Sequence, residues 1–197
     1  MSVRGSLIAI LTLGPAYGLQ IRDELIARAP HRAGINVGQI YGTLDRLLTG
    51  GLVRSAGLTD DALPLYSLSP SGWDAAAEWM RSPERPDNPD WADMLDQLLV
   101  TASLPDSEDS VRALLVAYRA AWSAWADTDD TADTAAKTER ASLFVTAART
   151  AQTAAALDWL TRVGPELASG RALVRSARPA RPRRGRKPAS TLHADSE

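Results

Sequence analysis

The segment 36–49 places hydrogen-bonding side chains beside glycines. Gln39 and Arg46 can bind polar groups of a partner, whereas Gly38 and Gly42 leave the backbone open to close approach. The Lys and Glu residues that usually cover the exposed face of a surface helix are missing from this segment. The chemistry favoured by this pattern is hydrogen bonding to a surface that comes close to the chain.

Side chains that could perform catalysis or hold a metal are scattered. The chain has no cysteine, and its two histidines, His31 and His193, are far apart. The aspartates between Asp127 and Asp133 lack the spacing of a calcium loop, which favours a solvated loop between helices. No nucleophile lies near a base in the sequence, and no glycine-rich loop could cradle a phosphate. The sequence predicts neither an enzyme nor a bound metal or cofactor.

A helix is needed to align the polar residues of segment 36–49. Asn36 is a suitable N-cap, and the pair Gly50-Gly51 supplies a C-terminal stop. Apolar residues recur at helical spacing and predict a buried stripe. They are Val37, Ile40, Tyr41, Leu44, Leu47 and Leu48. The face predicted to stay outside consists of Gly38, Gln39, Gly42, Thr43, Asp45 and Arg46.

The elements around this helix follow the order of a winged helix-turn-helix. Helices are predicted over Ser6–Leu13 and Ala16–Ala29, and short strands over Leu52–Leu58 and Leu63–Ser69. A fourth helix is expected to begin at Ser69 or Ser71, and its predicted buried side is Trp73, Ala76, Ala77 and Met80. In this arrangement the third helix enters a DNA major groove about 12 Å wide. Small, hydrogen-bonding residues permit an approach that long acidic side chains would prevent.

The second half of the chain is predicted to be a separate helical unit. Three prolines within 83–90 mark a linker between domains at 1–82 and 91–170. Asp90 and Asp106 can cap helices with regular apolar stripes. A last long helix is expected to run to about Val163, because Gly164-Pro165 weakens or bends the chain after that residue.

Composition predicts a folded, cytoplasmic protein. Hydrophobic residues make up 45% of the 197 residues, which is enough for a packed core. No apolar run approaches the roughly 20 residues that cross a bilayer, and the short run near the N-terminus is interpreted as a helix rather than a signal peptide. Because disulfides are excluded, the cytoplasm is the expected compartment.

A basic tail comes after an acidic body. Eight of the 22 basic residues lie between Arg171 and Lys187, and only Asp195 and Glu197 are acidic beyond Gly170. Residues 171–197 cannot bury a core and are predicted to be a disordered tail with a polyanionic partner. Within it, the run Arg183, Arg184, Gly185, Arg186 and Lys187 resembles an AT-hook, in which Arg-Gly-Arg lies in a narrow minor groove. The alternative is a solvated tail with nonspecific affinity for phosphates.

Three motifs together resemble the PadR-like transcriptional regulators. They are RGSLIAILTLGPAYGLQIRDEL (Arg4–Leu25), VGQIYGTLDRLLTGGLV (Val37–Val53) and YSLSPSGWDA (Tyr66–Ala75). Weaker similarity extends the resemblance over roughly residues 3–167. It implies a mainly α protein with an N-terminal winged helix-turn-helix, a small β-hairpin wing and an α-helical dimerisation domain. Such a homodimer binds double-stranded DNA, reads a near-palindromic operator and usually represses transcription.

The resemblance also implies which residues contact DNA. On the third helix they are Gln39, Tyr41, Thr43 and Arg46, and Arg4 and Arg22 are candidate phosphate contacts. A glutamine can form two hydrogen bonds with adenine, which suits Gln39. Tyr41 is expected to pack while its hydroxyl reaches a phosphate. Asp60 and Asp61 make the wing tip acidic, so we exclude it from the DNA contacts.

Tryptophans offer a possible effector site. The six in the chain are expected mostly in the core or a dimer interface. Trp91, Trp122 and Trp125 could instead line a pocket for a small aromatic or hydrophobic effector. The expected function is a cytoplasmic, nucleoid-associated DNA-binding regulator without a membrane segment. The alternative is a winged-helix module that binds protein partners, which the acidic body and wing tip favour.

Overall fold

The computed structural model describes residues 3–127, 139–170 and 173–176. This part is mainly helical with a small three-stranded antiparallel sheet, which confirms the expected fold class at that level. The first elements are α1 (Arg4–Leu11), β1 (Ala16–Tyr17), α2 (Gly18–Arg28), a 3-10 turn (Pro30–Arg32), α3 (Val37–Thr49), β2 (Val53–Leu58) and β3 (Pro64–Leu68). They are followed by α4 (Pro70–Trp79), α5 (Trp91–Ala102), α6 (Glu108–Ala126) and α7 (Glu139–Ala168).

The sheet has one strand that the sequence pattern does not predict. β3 lies between β1 and β2, and all pairs are antiparallel. Ala16 of β1 pairs with Tyr66 of β3, and Val53 of β2 pairs with Leu68. Two residues are too few to show a strand period, so β1 exists only because the turn before α2 passes along the edge of β3. The predicted hairpin of β2 and β3 is confirmed.

The first core packs around α1. Every residue of this helix after Arg4 is buried, and α2, α4, α5 and β3 pack against it, while α3 packs on α2 and β2. Ile21 and Leu25 of α2 and Leu44 of α3 are completely buried in the same cluster. An apolar helix of this kind is stable only when other elements cover it on all sides. The packing therefore fixes the angle at which α3 presents its outer face.

Helix α5 joins this core to a second one. Its Val100 lies in the first cluster, whereas Met94 and Leu98 pack with α6 and α7 in the second. Polar contacts reinforce the joint, because the amide of Gln97 donates to the carbonyl oxygens of Trp79 (2.5 Å) and Ser82 (3.0 Å). The same side chain accepts a hydrogen bond from the hydroxyl of Tyr118. Contacts thus run from α4 through α5 to α6. The domain boundary at 83–90 stays a prediction.

Some finer predictions about faces were wrong. Trp73 was expected on the buried side of α4 but is 50% exposed. Val37 and Leu48, at the two ends of the α3 stripe, are 37% and 43% exposed, because neighbours cover only its middle. Helix α1 begins and ends two residues earlier than the predicted helix Ser6–Leu13.

Helix ends follow the predicted caps only in part. Asp90 caps α5 as predicted, accepting from the amides of Ala92 (2.9 Å) and Asp93 (3.0 Å). Asp106 is not the cap of α6, since Ser107 holds that position. Helix α7 continues past Pro165 to Ala168 instead of ending near Val163, because its packing against α6 carries it through the proline.

Candidate functional site

A groove of about 1000 Å³ runs along the outer face of α3. Its lining residues are Val3, Arg4, His31, Arg32, Gly34, Ile35, Asn36, Gly38, Gln39, Gly42, Thr43 and Arg46. Three arginines and a histidine are among these residues, and no lining residue is acidic. The groove combines positive charge with a helix face that two glycines keep free of side chains. Such a surface suits an anionic partner that approaches the helix closely.

The N-terminus of α3 is held by a capping box. The backbone amide of Gln39 donates to Asn36 Oδ1 (2.8 Å), and the amide of Asn36 donates to Gln39 Oε1 (3.3 Å). Both side chains are exposed in the groove. The predicted N-cap Asn36 is confirmed. The capping box also means that the Gln39 side chain already forms a hydrogen bond within the protein. Its side-chain oxygen already satisfies a helix donor, so a two-bond contact with a base needs the other lone pair of that oxygen.

Thr43 does not face outward as the sequence pattern predicted. It is 5% exposed, and its hydroxyl donates to the carbonyl oxygen of Gln39 (2.8 Å) one turn earlier. The same hydroxyl accepts a hydrogen bond from Arg46 Nη2 (3.0 Å). The prediction failed because Thr43 lies at the margin of the apolar stripe, where α3 meets its neighbours. Its geometry suits the positioning of the exposed Arg46 more than direct contact with a partner.

Tyr41 packs against the start of α2. A Cβ atom at Gly18 would lie 2.6 Å from Tyr41 Cε1, so the ring covers the backbone where only glycine fits. The side chain is half-buried. The part of the prediction that has Tyr41 packing is confirmed. Contact between its hydroxyl and a phosphate stays a prediction.

The two arginines expected to contact phosphates have different surroundings. Arg4 is exposed at the first residue of α1 and lines the groove. Arg22 is held by two hydrogen bonds within the protein. Its Nε donates to the carbonyl oxygen of Ile35 (3.0 Å), and its Nη1 donates to Asp23 (3.2 Å). Through the bond to Ile35, Arg22 holds the chain that leads into α3. The structure therefore gives Arg22 a positioning role that the resemblance did not imply, and it does not line the groove.

His31 and Arg32 belong to the groove, and sequence reasoning missed both. Arg32 Nε donates to both oxygens of Asp96 (2.9 and 3.0 Å), and His31 Nε2 lies 2.8 Å from the same carboxylate. The hydrogen bond to Asp96 raises the pKa of the Arg32 guanidinium, which stays charged. The signal that could have found them is a histidine and an arginine side by side just ahead of the Asn36 cap. Their partner is 64 residues away along the chain for Arg32, which no local pattern reveals.

An aromatic pocket lies between α5, α6 and α7. Its volume is about 300 Å³, and Pro89, Asp90, Trp91, Trp122, Gln152 and Ala155 line it. The structure thus brings together Trp91 and Trp122, two of the three predicted residues. Trp125 does not line the pocket but packs edge-on against Trp122, with ring centroids 5.4 Å apart. Trp159, which was not predicted, packs on Trp91 at 5.9 Å.

The remaining predicted site lies outside the described residues. Arg183, Arg184, Gly185, Arg186 and Lys187 all belong to the terminal segment beyond Ser176.

Within the described ranges, no group of three or more metal-binding side chains is found. None of the helices described is both long enough and apolar enough to span a membrane. Comparison with models of known protein families and with curated protein sequences finds no match.

Proposed function

We propose that this chain is a DNA-binding transcriptional regulator whose α3 is the recognition helix of a winged helix-turn-helix. The groove carries the proposal, because its cationic lining contains no carboxylate and its floor is the outer face of α3. A duplex carries about one negative charge per 1.7 Å of its axis, so a groove of this charge attracts it. The order of α1, α2, α3, the β2–β3 hairpin and α4 supports the winged helix-turn-helix.

Different lining residues are suited to different parts of a duplex. Gln39 lies in the first turn of α3, where recognition helices present side chains to base edges, and its amide suits adenine. Arg46 lies two turns further along and is exposed. Arg4 comes from another element, at the start of α1, and suits a phosphate beside the groove, whereas Arg32 of the 3-10 turn is held by Asp96. Gly42 leaves room for the duplex between them.

A homodimer is supported by the resemblance to PadR-like regulators and by exposed apolar side chains. Leu143, Phe144 and Val145 near the start of α7 are 65%, 71% and 50% exposed. Val116 on α6 is 67% exposed. Apolar side chains of this size at consecutive positions are unfavourable in water and suit contact with a second copy. Two copies of α3 would then read two halves of one operator, as in a repressor.

The aromatic pocket suits a small aromatic effector, and α5 is a direct link from it to the groove. Trp91 begins this helix and lines the pocket, and Asp96 further along holds Arg32 at the groove. An effector between Trp91 and Trp122 would shift α5 against α6. Because Asp96 moves with the helix, the position of Arg32 would change with effector binding.

Two substitutions to glutamate, one in the groove and one outside it, test the proposal. Glutamate at position 39 keeps the capping box and favours the positive end of the helix dipole, so α3 should remain folded. It loses the amide donor and adds a negative charge inside the groove. Ala113→Glu adds the same negative charge on the exposed face of α6, away from the groove and the aromatic pocket, and serves as the control. A duplex obtained by selection from a random pool is the probe, and fluorescence anisotropy measures its affinity.

We expect Gln39→Glu to weaken binding by about 10- to 100-fold, the range for one lost base contact, and Ala113→Glu to leave it unchanged. Wild-type affinity should also fall by orders of magnitude between low and moderate salt. If no duplex is selected and affinity does not depend on salt, the DNA-binding proposal is wrong. The alternative, a winged-helix module for protein partners, would then account better for the acidic wing tip.

A further inference from the structure

A histidine of the groove shares a buried carboxylate with an arginine. His31 lies in the 3-10 turn Pro30–Arg32 and lines the groove, and 28% of its side-chain surface is exposed. Asp96 of α5 is buried at 2% exposure. Arg32 Nε donates to both oxygens of Asp96 (2.9 and 3.0 Å), and His31 Nε2 lies 2.8 Å from Asp96 Oδ1. The imidazole of His31 therefore connects a buried acceptor to the open groove.

This contact determines which ring nitrogen of His31 carries a hydrogen. The hydrogen bond to Asp96 raises the pKa of Arg32, so the guanidinium is charged and its partner carboxylate is ionised. An ionised carboxylate can only accept hydrogen bonds, so we assign Nε2 as the donor from this geometry. In the neutral ring the other nitrogen, Nδ1, then has a lone pair and no hydrogen. Protonation adds a hydrogen to Nδ1 and a positive charge to the ring.

A phosphate group distinguishes the two states of the ring. Its oxygens are negative and accept hydrogen bonds, so they repel the lone pair of the neutral ring and bind the N–H of the charged ring. No residue that lines the groove is acidic, so a phosphate meets no carboxylate there. Because Asp96 occupies Nε2, Nδ1 is the ring nitrogen that can bind a ligand in the groove.

Charged residues of both signs lie on the elements that pack against the turn or line the groove with it. They are Arg22, Asp23, Glu24 and Arg28 on α2, Asp90, Asp93 and Asp96 at α5, Arg32 on the turn itself, Arg4 on α1 and Arg46 on α3. The α2 residues form two ion pairs and add no net charge. Asp96 attracts a positive charge on the ring, whereas the groove arginines repel it. A phosphate in the groove adds negative charge and so attracts the protonated ring.

We infer that His31 is a phosphate contact of the groove that binds DNA only when its ring is protonated. The inference rests on the proposed function, because the phosphate belongs to the duplex held by α3. Binding takes up one proton from solvent at Nδ1. Affinity therefore falls as the pH rises through the range in which histidines titrate, roughly pH 5–8.

Two substitutions hold position 31 in a single charge state. His31→Gln is never charged, and its amide can still donate to Asp96, whereas His31→Arg is always charged. His31 is exposed, so neither change opens the core. His193→Gln removes the other histidine of the sequence and serves as the control. Anisotropy measures affinity for one selected duplex at about pH 6 and about pH 8. Calorimetry in buffers of different ionisation enthalpy measures the proton uptake.

Between these two pH values we expect the affinity of wild type and of His193→Gln to fall about three- to tenfold, the range for one histidine contact with a phosphate. His31→Gln should bind at both pH values as wild type does at the higher one. His31→Arg should bind at both as wild type does at the lower one. Both variants at position 31 should take up less proton on binding than wild type.

Three results would contradict this account. A wild-type affinity that does not depend on pH, or the wild-type pH dependence retained in His31→Gln, would overturn the inference and leave the proposed function standing. An equal loss of affinity in His31→Gln and His31→Arg would also overturn the inference, because the ring would then serve the fold rather than the phosphate. Failure of every chain to bind a duplex at either pH would overturn the proposed function itself.

Discussion

Substitution of Gly42 should move stability and DNA binding in opposite directions. A Cβ atom at this position would meet no other atom within 4 Å, although Gly42 lies inside α3 and lines the groove. Glycine in a helix interior is about 1 kcal/mol less favourable than alanine and about 0.5 kcal/mol less favourable than glutamine. Gly42→Ala should therefore raise the melting temperature by about 2–4 °C, and Gly42→Gln by roughly half as much. The isolated protein gains because nothing in its own fold needs the glycine.

The effect of Gly42→Gln on DNA binding should be opposite to its effect on stability. The glutamine side chain would occupy the space that the duplex needs, and we expect at least about tenfold weaker binding, corresponding to ~1–3 kcal/mol of overpacking. Ala113→Gln places the same side chain on the exposed face of α6 and should leave affinity unchanged. Thermal unfolding and anisotropy with a selected duplex measure the two effects. A Gly42→Gln protein that is more stable and binds DNA as well as wild type would show that no partner approaches α3 here.

Three further substitutions test separate parts of the structure. Arg46→Ala should weaken binding to all duplexes and lower the slope of log affinity against log salt by about one, if the arginine contacts a phosphate; an unchanged slope would remove it from the interface. Asp96→Asn should lower the free energy of unfolding in urea by about 3 kcal/mol, because it removes the buried carboxylate that binds the half-buried Arg32. A loss below ~1 kcal/mol would mean that the pair contributes little. Burial raises the pKa of the Tyr118 hydroxyl above its ordinary value of 10.0. The folded state therefore holds this proton more tightly than the unfolded state, so the contribution of Tyr118 to stability should be constant below about pH 10 and fall above it. Tyr118→Phe should reduce that alkaline loss, and an unaltered pH profile would contradict the assignment.

Helix α3 illustrates which features can be predicted from the sequence. Asn36, the central apolar stripe and Gly50-Gly51 act within one element, so their spacing identified the helix and its cap. The same local rules identified the hairpin and the Asp90 cap of α5. They failed at Thr43 and Trp73, because side-chain exposure depends on where a neighbouring element ends. A helical period gives the direction of a side chain but not the width of the surface that covers it.

Contacts between distant segments were beyond any local pattern. Asp96 holds His31 and Arg32 across more than 60 residues, and Arg28 binds a carbonyl near the other end of the chain. Each partner alone is an ordinary charged residue on a helix or turn. Only packing of α5 against the first core makes Asp96 a buried partner. From the sequence, only the α3 side of the groove could be predicted. The basic residues that other elements contribute to the groove could not.

Cross-linking from the rim of the groove tests the central claim most directly. The chain has no cysteine, so a single cysteine can carry a photoreactive label. Ala33 is exposed between Arg32 and Gly34 of the groove, and Ser123 is an exposed residue of α6 away from it. We expect the label on Ala33→Cys to cross-link to a selected duplex, at two sites about 10 base pairs apart for a dimer, and the label on Ser123→Cys to give none. Cross-links from position 123 but not from position 33 would contradict the assignment of α3 as the DNA-binding surface.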